Sequence, residues 1–300
     1  MIPTRSFAPG RDFSAKHFAG YYLMRLVPYA GPRRAVAAAL AKYIHVRHSA
    51  HDLAPPPPDL TPHLQTTLQT LAGRGCAFLD PIFTSEQLVD IRGYLADKPM
   101  VSGKQTFTAD QAPPGVARAS YSLATILNCP HVLDAINRPD ILALATAYIG
   151  CRPTISGLAI HWSFPTADGC DVQRFHRDPD DWRFLKVFSY LSDVDEQSGP
   201  HEFVTTSHRT SGRLRSVPYQ DDEVERRFGR DNVVKMVGPR GTTFCADTWG
   251  IHKGGVPIAR PRLMLQTQYS VLPVAKFKYM PQKVAAPKTY DPYTNRLLVA

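Results

Sequence analysis

Four residues of the 300-residue chain combine types and spacings that could hold a metal ion and an acid: His176, Asp178, His252 and Arg262. His176 and Asp178 stand two apart in Gln173-Arg174-Phe175-His176-Arg177-Asp178-Pro179-Asp180-Asp181-Trp182. On extended chain, side chains alternate with a period of two, so this imidazole and this carboxylate point to one side. His252 follows 76 residues later in Asp247-Thr248-Trp249-Gly250-Ile251-His252-Lys253-Gly254-Gly255, where glycines suit a strand leaving a barrel rim. Two histidines and one carboxylate on one face form the ligand pattern of non-haem Fe(II), with three further positions open for a co-substrate and dioxygen. Alone, a His-x-Asp pair is a weak signal in a chain with 11 histidines, and an Asp178 that caps backbone amides ahead of Pro179 is the ordinary alternative.

Arg262 adds an acid-binding part. It opens the run Arg262 to Tyr269, in which Arg262, Met264, Gln266 and Gln268 share one face and Leu263, Leu265, Thr267 and Tyr269 the other. The first face suits a barrel lumen and the second suits packing outside it. A buried guanidinium needs a carboxylate, which its planar fork binds through two parallel hydrogen bonds. The far carboxylate of 2-oxoglutarate would meet that need, as would a neighbouring Asp or Glu. Gln173 and Tyr190 are candidates to reach the same co-substrate, with barrel packing as their alternative. Lys186 reads as a surface or structural residue, because lysine is rarely buried without a partner. His161 reads as structural, and His201 and His208 lack the downstream arginine that marks His252. Trp162, Trp182 and Trp249 lie near the motifs in sequence and are expected as walls that exclude water.

The elements that must position these groups come in two blocks. Pro32 followed by Ala35 to Ile44 predicts an Ala-rich helix, made basic by Arg33, Arg34, Lys42 and Arg47. It reads as a solvated helix packed on the body or as a contact for anionic membrane. Pro55 to Pro58 form a stiff spacer, so a helical extension is expected over residues 1–59 and a main domain over 60–300. Leu64, Leu68 and Leu71 recur at helical spacing, Cys76 to Leu79 reads as a strand, and Thr84 with Gln87 makes a capping box before Leu88, Ile91 and Leu95. A further helix is predicted over Pro139 to Ile149 with Gly150 as its stop. From Pro153 onward, runs around Leu158 to Phe164, Phe184 to Leu191 and Arg262 to Tyr269 alternate between turns, which predicts an α+β protein with an antiparallel sandwich or barrel.

Composition bounds the function without choosing it. Apolar residues make up 43% and charged residues 20%, the balance of a chain that buries a core. The net charge of +9 favours anionic partners. No zinc-finger spacing or RRM signature accompanies it, so nucleic acid is not expected. Five scattered cysteines argue against a disulfide framework, and neither a leader nor a membrane-length apolar run is seen, so the cytoplasm is the expected location.

The stretches Phe175 to Asp181 and Phe184 to Val204, the Ser207-His208 pair, and Ile251 to Gly255 followed by Arg262 resemble the phytanoyl-CoA dioxygenase group of Fe(II)/2-oxoglutarate oxygenases. The resemblance runs from about Leu71 to Ser270. It implies a double-stranded β-helix, a jelly-roll or cupin-like barrel, with supporting N-terminal helices. It also implies iron on His176, Asp178 and His252, with Arg262 on the far carboxylate of 2-oxoglutarate. The implied activity is a dioxygenase that uses O2 to hydroxylate an unactivated C–H of a small-molecule, lipid or glycan substrate, releasing succinate and CO2. The group's usual Pro-Gly-Ser-His stands here as Thr205-Thr206-Ser207-His208, which bears on the shape of that loop. The competing readings are a cupin-like protein with another metal and a non-catalytic ligand-binding barrel.

Overall fold

Local signals in the sequence account for the helices that come first. The computed structural model describes residues 15–49, 59–167, 169–210, 218–275, 277–284 and 290–300; the spacer at 55–58 lies outside them. In chain order the first block holds helices Ala15–Leu26 (α1), Ala30–Ser49 (α2) and Pro62–Arg74 (α3), strand Cys76–Leu79 (β1), helix Ser85–Leu95 (α4), strands Met100–Ser102 (β2), Gln105–Phe107 (β3) and Arg118–Tyr121 (β4), and helices Leu123–Leu127 (α5), Val132–Ile136 (α6) and Pro139–Ile149 (α7). Both halves of the Thr84/Gln87 capping box form at α4. At the end of α7, Gly150 takes a φ of 87°, which only glycine adopts without strain, and returns its N–H to Thr146.

The second block is mostly strands: Thr154–Ser163 (β5), Phe184–Tyr190 (β6), His201–Val204 (β7), Val233–Met236 (β8), Thr243–Ala246 (β9), His252–Gly254 (β10) and Arg262–Ser270 (β11), with helix Asp221–Phe228 (α8) between β7 and β8. Eight strands form one sheet in the order β1-β9-β6-β11-β5-β4-β2-β3, and β10-β7-β8 form a smaller one. Every pairing between these strands is antiparallel. The chain is a double-stranded β-helix with supporting helices, the form of antiparallel barrel that the family resemblance implies.

The two faces of the large sheet do different work. Leu263, Leu265 and Tyr269 of β11 pack into one core with Leu71 of α3, Ile91 of α4 and Leu144 of α7. Met264 of β11 joins Phe188, Tyr190 and Phe244 from the large sheet and Phe203 and Met236 from the small one in a second cluster between the sheets. The period-two reading of β11 therefore puts each face where it expects it.

The basic N-terminal helix is longer than Ala35 to Ile44 and is docked on the body. Ala41 and Ile44 of α2 belong to the main core. Arg33 is buried, donating to the carbonyls of Met24 (3.0 Å) and Asp181 (2.6 Å), with its guanidinium carbon 3.8 Å from the centre of the Trp249 ring. It is a packing residue, not a surface charge. Among the described residues, no helix is long and apolar enough to cross a membrane.

Candidate functional site

His176 and Asp178 sit on extended chain after β5, and their backbone is stitched to the segment that carries His252. The His176 N–H donates to the His252 carbonyl (2.9 Å), the His252 N–H returns to the His176 carbonyl (3.0 Å), and the Asp178 N–H donates to the Thr248 carbonyl (2.9 Å). Arg177, between the two ligand positions, points the other way and donates to the carbonyls of Trp249 (2.7 Å) and Ser207 (3.1 Å). Alternation thus turns two side chains inward and uses the third to fasten the segments together.

Inside, one ligand atom from each of His176, Asp178 and His252 lies within 4.8 Å of the other two. Nε2 of His176 is 3.5 Å from Oδ1 of Asp178, and Nε2 of His252 is 3.3 Å from Oδ2. Nδ1 of His176 lies 2.8 Å from the Arg174 carbonyl, and Nδ1 of His252 lies 2.9 Å from that of Gly250. A carbonyl only accepts, so each Nδ1 carries the proton and each Nε2 lone pair faces the centre, the arrangement a metal needs. Burial pushes the Asp178 carboxyl up, but the Lys186 ammonium and the two imidazoles outweigh it and hold it well below the usual carboxylate range. Burial lowers His176, but hydrogen bonding and charge from Asp178 raise it on balance; for the more deeply buried His252, burial and His176 prevail and lower it.

Of the two readings of Lys186, surface or structural, the structure shows the buried one. It is buried at 6% exposure, and its Nζ lies 2.5 Å from Oδ2 of Asp178 and 3.5 Å from Oδ2 of Asp180. The chain turns back after Asp178 and brings the partner that makes a buried lysine tolerable.

These groups line a cavity of about 120 Å³ that continues to Arg262. Arg262 is 1% exposed. Its sole hydrogen bond within the described residues is a long one from Nη2 to Ser163 Oγ (3.3 Å), leaving Nε and Nη1 without a partner. Gly254 makes room for it, since a Cβ there would stand 3.0 Å from Nη2. Sheet register supplies a residue that sequence reasoning missed: Ser163 of β5 faces Arg262 on one neighbour and Arg118 on the other. Arg118 also lines the cavity, and burial, opposed by Cys170 and reinforced by Arg262, lowers its pKa to about 10. No motif marks Arg118, which sits on a four-residue strand; only the pairing β4–β5–β11 reveals it.

Gln173 lines the cavity, with Oε1 accepting from the Cys170 N–H (2.8 Å) and Nε2 without a partner. Tyr190 does not line it. Its hydroxyl donates to the Met236 carbonyl (2.7 Å) and accepts from the His201 N–H (3.0 Å), which ties the two sheets together. His161 and His201 line the cavity as neutral imidazoles, pushed well below the usual histidine range first by burial and then by nearby cations. His208 lies elsewhere, beside the Ala72 carbonyl (3.1 Å). None of the three tryptophans lines this cavity. Trp162 is on the helix side of β5, stacked on Phe164, while Trp182 and Trp249 hold Arg33.

The Thr205-Thr206-Ser207-His208 loop keeps a glycine-like turn. Thr206 has a φ of 65°, and Ser207 Oγ accepts from the Ile251 N–H (2.8 Å) just before His252.

Fold and site together define a jelly roll that carries a His-Asp-His facial triad beside a buried arginine. Solved structures share this fold. EctD from S. alaskensis with bound Fe superposes with a TM-score of 0.55 at 17% identity, over 83% of this chain and 90% of that one. EctD with 2-oxoglutarate and 5-hydroxyectoine gives 0.54 at 17% identity, over 83% and 88%. The epimerase SnoN with Fe3+, alpha ketoglutarate and a nogalamycin compound gives 0.50 at 18% identity, over 69% and 83%. These neighbours are Fe/2-oxoglutarate enzymes crystallised with iron and with the keto acid. No family model matches the chain, and no curated protein matches it.

Proposed function

We propose that this chain is an Fe(II)- and 2-oxoglutarate-dependent oxygenase of the phytanoyl-CoA dioxygenase kind that hydroxylates an unactivated C–H bond of a small-molecule, lipid or glycan substrate. The observation that carries this reading is Arg262, a fully buried guanidinium without a carboxylate partner among the described residues, in the same cavity as the triad. Taking a cation out of water costs several kcal/mol unless an anion answers it, and a dicarboxylate co-substrate that reaches the metal with its other end would do so.

His176, His252 and Asp178 would hold the iron through two Nε2 atoms and one carboxylate oxygen. Iron bound there supplies oxidising power from dioxygen, with 2-oxoglutarate consumed to succinate and CO2. The protein does the rest. Lys186 keeps Asp178 ionised and oriented, Arg262 and Arg118 with Ser163 take the far carboxylate, and Phe188 and Met264 exclude water from the cavity wall. Gln173, with a free amide nitrogen, adds a donor to the co-substrate.

The substrate, whether small molecule, lipid or glycan, is anionic in this reading, in keeping with the +9 balance, and the location is the cytoplasm, in keeping with five free cysteines. Residues 60–300 form the oxygenase domain and 1–59 its extension. That extension meets an anionic membrane: residues 15–49 contain no acid, and Leu23, Leu26 and Tyr29 stand exposed. Leu26→Ser with Tyr29→Ser would then lower recovery on anionic vesicles, and unchanged recovery removes membrane contact from the reading.

The test of the main proposal is an anaerobic Fe(II) titration with and without 2-oxoglutarate, followed by the weak visible charge-transfer band of the chelate. The band is expected in the wild type and absent in His176→Ala. A folded, iron-loaded protein that shows no band would overturn the proposal.

A further inference from the structure

A second cavity, of about 420 Å³, shares no lining residue with the metal cavity and has a different chemistry. Its inner wall is aromatic, built from Tyr148, Trp182, Phe184 and Trp249. Four arginines surround these rings: Arg33, Arg34, Arg183 and Arg209. They are not equivalent. Arg33 is committed to the Met24 and Asp181 carbonyls and to the Trp249 ring. Arg34, Arg183 and Arg209 make no ion pair among the described residues, and Arg183 only lies 4.6 Å from the centre of the Tyr148 ring.

The one carboxylate on the wall is already engaged. Asp247 accepts from the Tyr148 hydroxyl (2.5 Å) and from the Trp249 N–H (3.1 Å). The indole Nε1 of Trp249 has no partner, although the residue is only 6% exposed. Three guanidiniums crowd a cleft with a single engaged acid, so the cleft focuses positive potential. One carboxylate would occupy one guanidinium fork; three forks match the spread oxygens of a diphosphate.

We propose that this cavity binds the diphosphate group of an organic pyrophosphate, held by Arg34, Arg183 and Arg209, with the organic body against the half-buried Trp182. The site is independent of the triad, so it stands whether or not iron binds. Its walls nonetheless belong to the segments that carry the metal ligands: Trp182 follows Asp178 by four residues, and Trp249 precedes His252 by three.

The test is calorimetric titration of the full-length, metal-free protein with inorganic pyrophosphate, ADP and adenosine. Pyrophosphate and ADP are expected to bind, and adenosine is not. ADP is expected to bind more tightly than pyrophosphate because its nucleoside adds contact with the aromatic wall; equal affinity for the two anions would overturn the placement of the organic body there. Arg34→Glu combined with Arg209→Glu, both on exposed side chains, is expected to weaken both anions at least tenfold while leaving Fe(II) binding and melting unchanged. Arg262→Leu is expected to leave ADP binding unaltered, which separates this cavity from the metal cavity. Absence of binding by both anions in the wild type, indifference of the Arg34/Arg209 variant, or loss of ADP in Arg262→Leu would each overturn the proposal. A failed iron titration would leave it standing.

Discussion

Arg33 and Arg262 are equally hidden, at 3% and 1% exposure, yet the protein answers the two cations differently. Arg33 has two carbonyl acceptors, a tryptophan face at 3.8 Å, and the charges of Asp181 and Asp247 nearby; burial still lowers its pKa to about 10. Arg262 has one long bond to a serine and two nitrogens without a partner. A structural arginine is satisfied by the fold, which makes it a clamp between α2 and the jelly roll. An arginine left unsatisfied at the end of a cavity marks the place of an anion.

Substitution separates the two roles, and Arg262 gives the largest expected effect. Arg262→Leu should weaken 2-oxoglutarate at least about 30-fold, from roughly 2 kcal/mol or more for losing one side of a buried charged pair. Its metal-free stability should be equal to or above that of the wild type, because an uncompensated buried charge is gone. Arg33→Ala should do the reverse, costing roughly 2–4 kcal/mol in urea unfolding through lost hydrogen bonds, ring contact and packing. Co-substrate affinity should not change.

A smaller effect follows from the cations around the metal cavity. Burial, with Arg118 and Arg262 adding to it, keeps His161 neutral in the fold, with its pKa well below 6.5. The unfolded chain takes up that proton as pH drops below about 6.5, so stability is full above that pH and falls beneath it. The slope is at most about 1.4 kcal/mol per pH unit for the group. His161→Gln should flatten the loss between pH 7.5 and 5.5 in denaturant melts. The smallest change expected is a gain: Thr206→Gly removes a β-branched residue from a φ of 65° and should stabilise by about 1 kcal/mol.

What the sequence makes legible follows the same division. The shared side of His176 and Asp178 and the inward face of Arg262 can be read from period-two alternation, whereas His252 is singled out by its glycine-marked rim together with the family resemblance. The cap of α4 and the stop of α7 can be read because they are local chemistry. Arg118 cannot, since its approach to Arg262 depends on strand register across β5. The choice between a surface and a structural Lys186 cannot be read because its partner arrives through a turn, and Arg33 is misplaced because a basic Ala-rich helix looks solvated until the Trp249 ring beneath it is known. Tyr190 shares a strand with cavity residues but spends its hydroxyl on the Met236 carbonyl across the sheets, a choice made by tertiary packing.

The most direct measurement is anaerobic binding of 2-oxoglutarate to the Fe(II)-loaded protein, wild type against Arg262→Leu, with Fe(II) affinity followed in parallel. The expected result is a large loss of 2-oxoglutarate affinity with iron retained. Equal affinity in the two proteins would contradict the assignment of Arg262 as the anchor of the co-substrate.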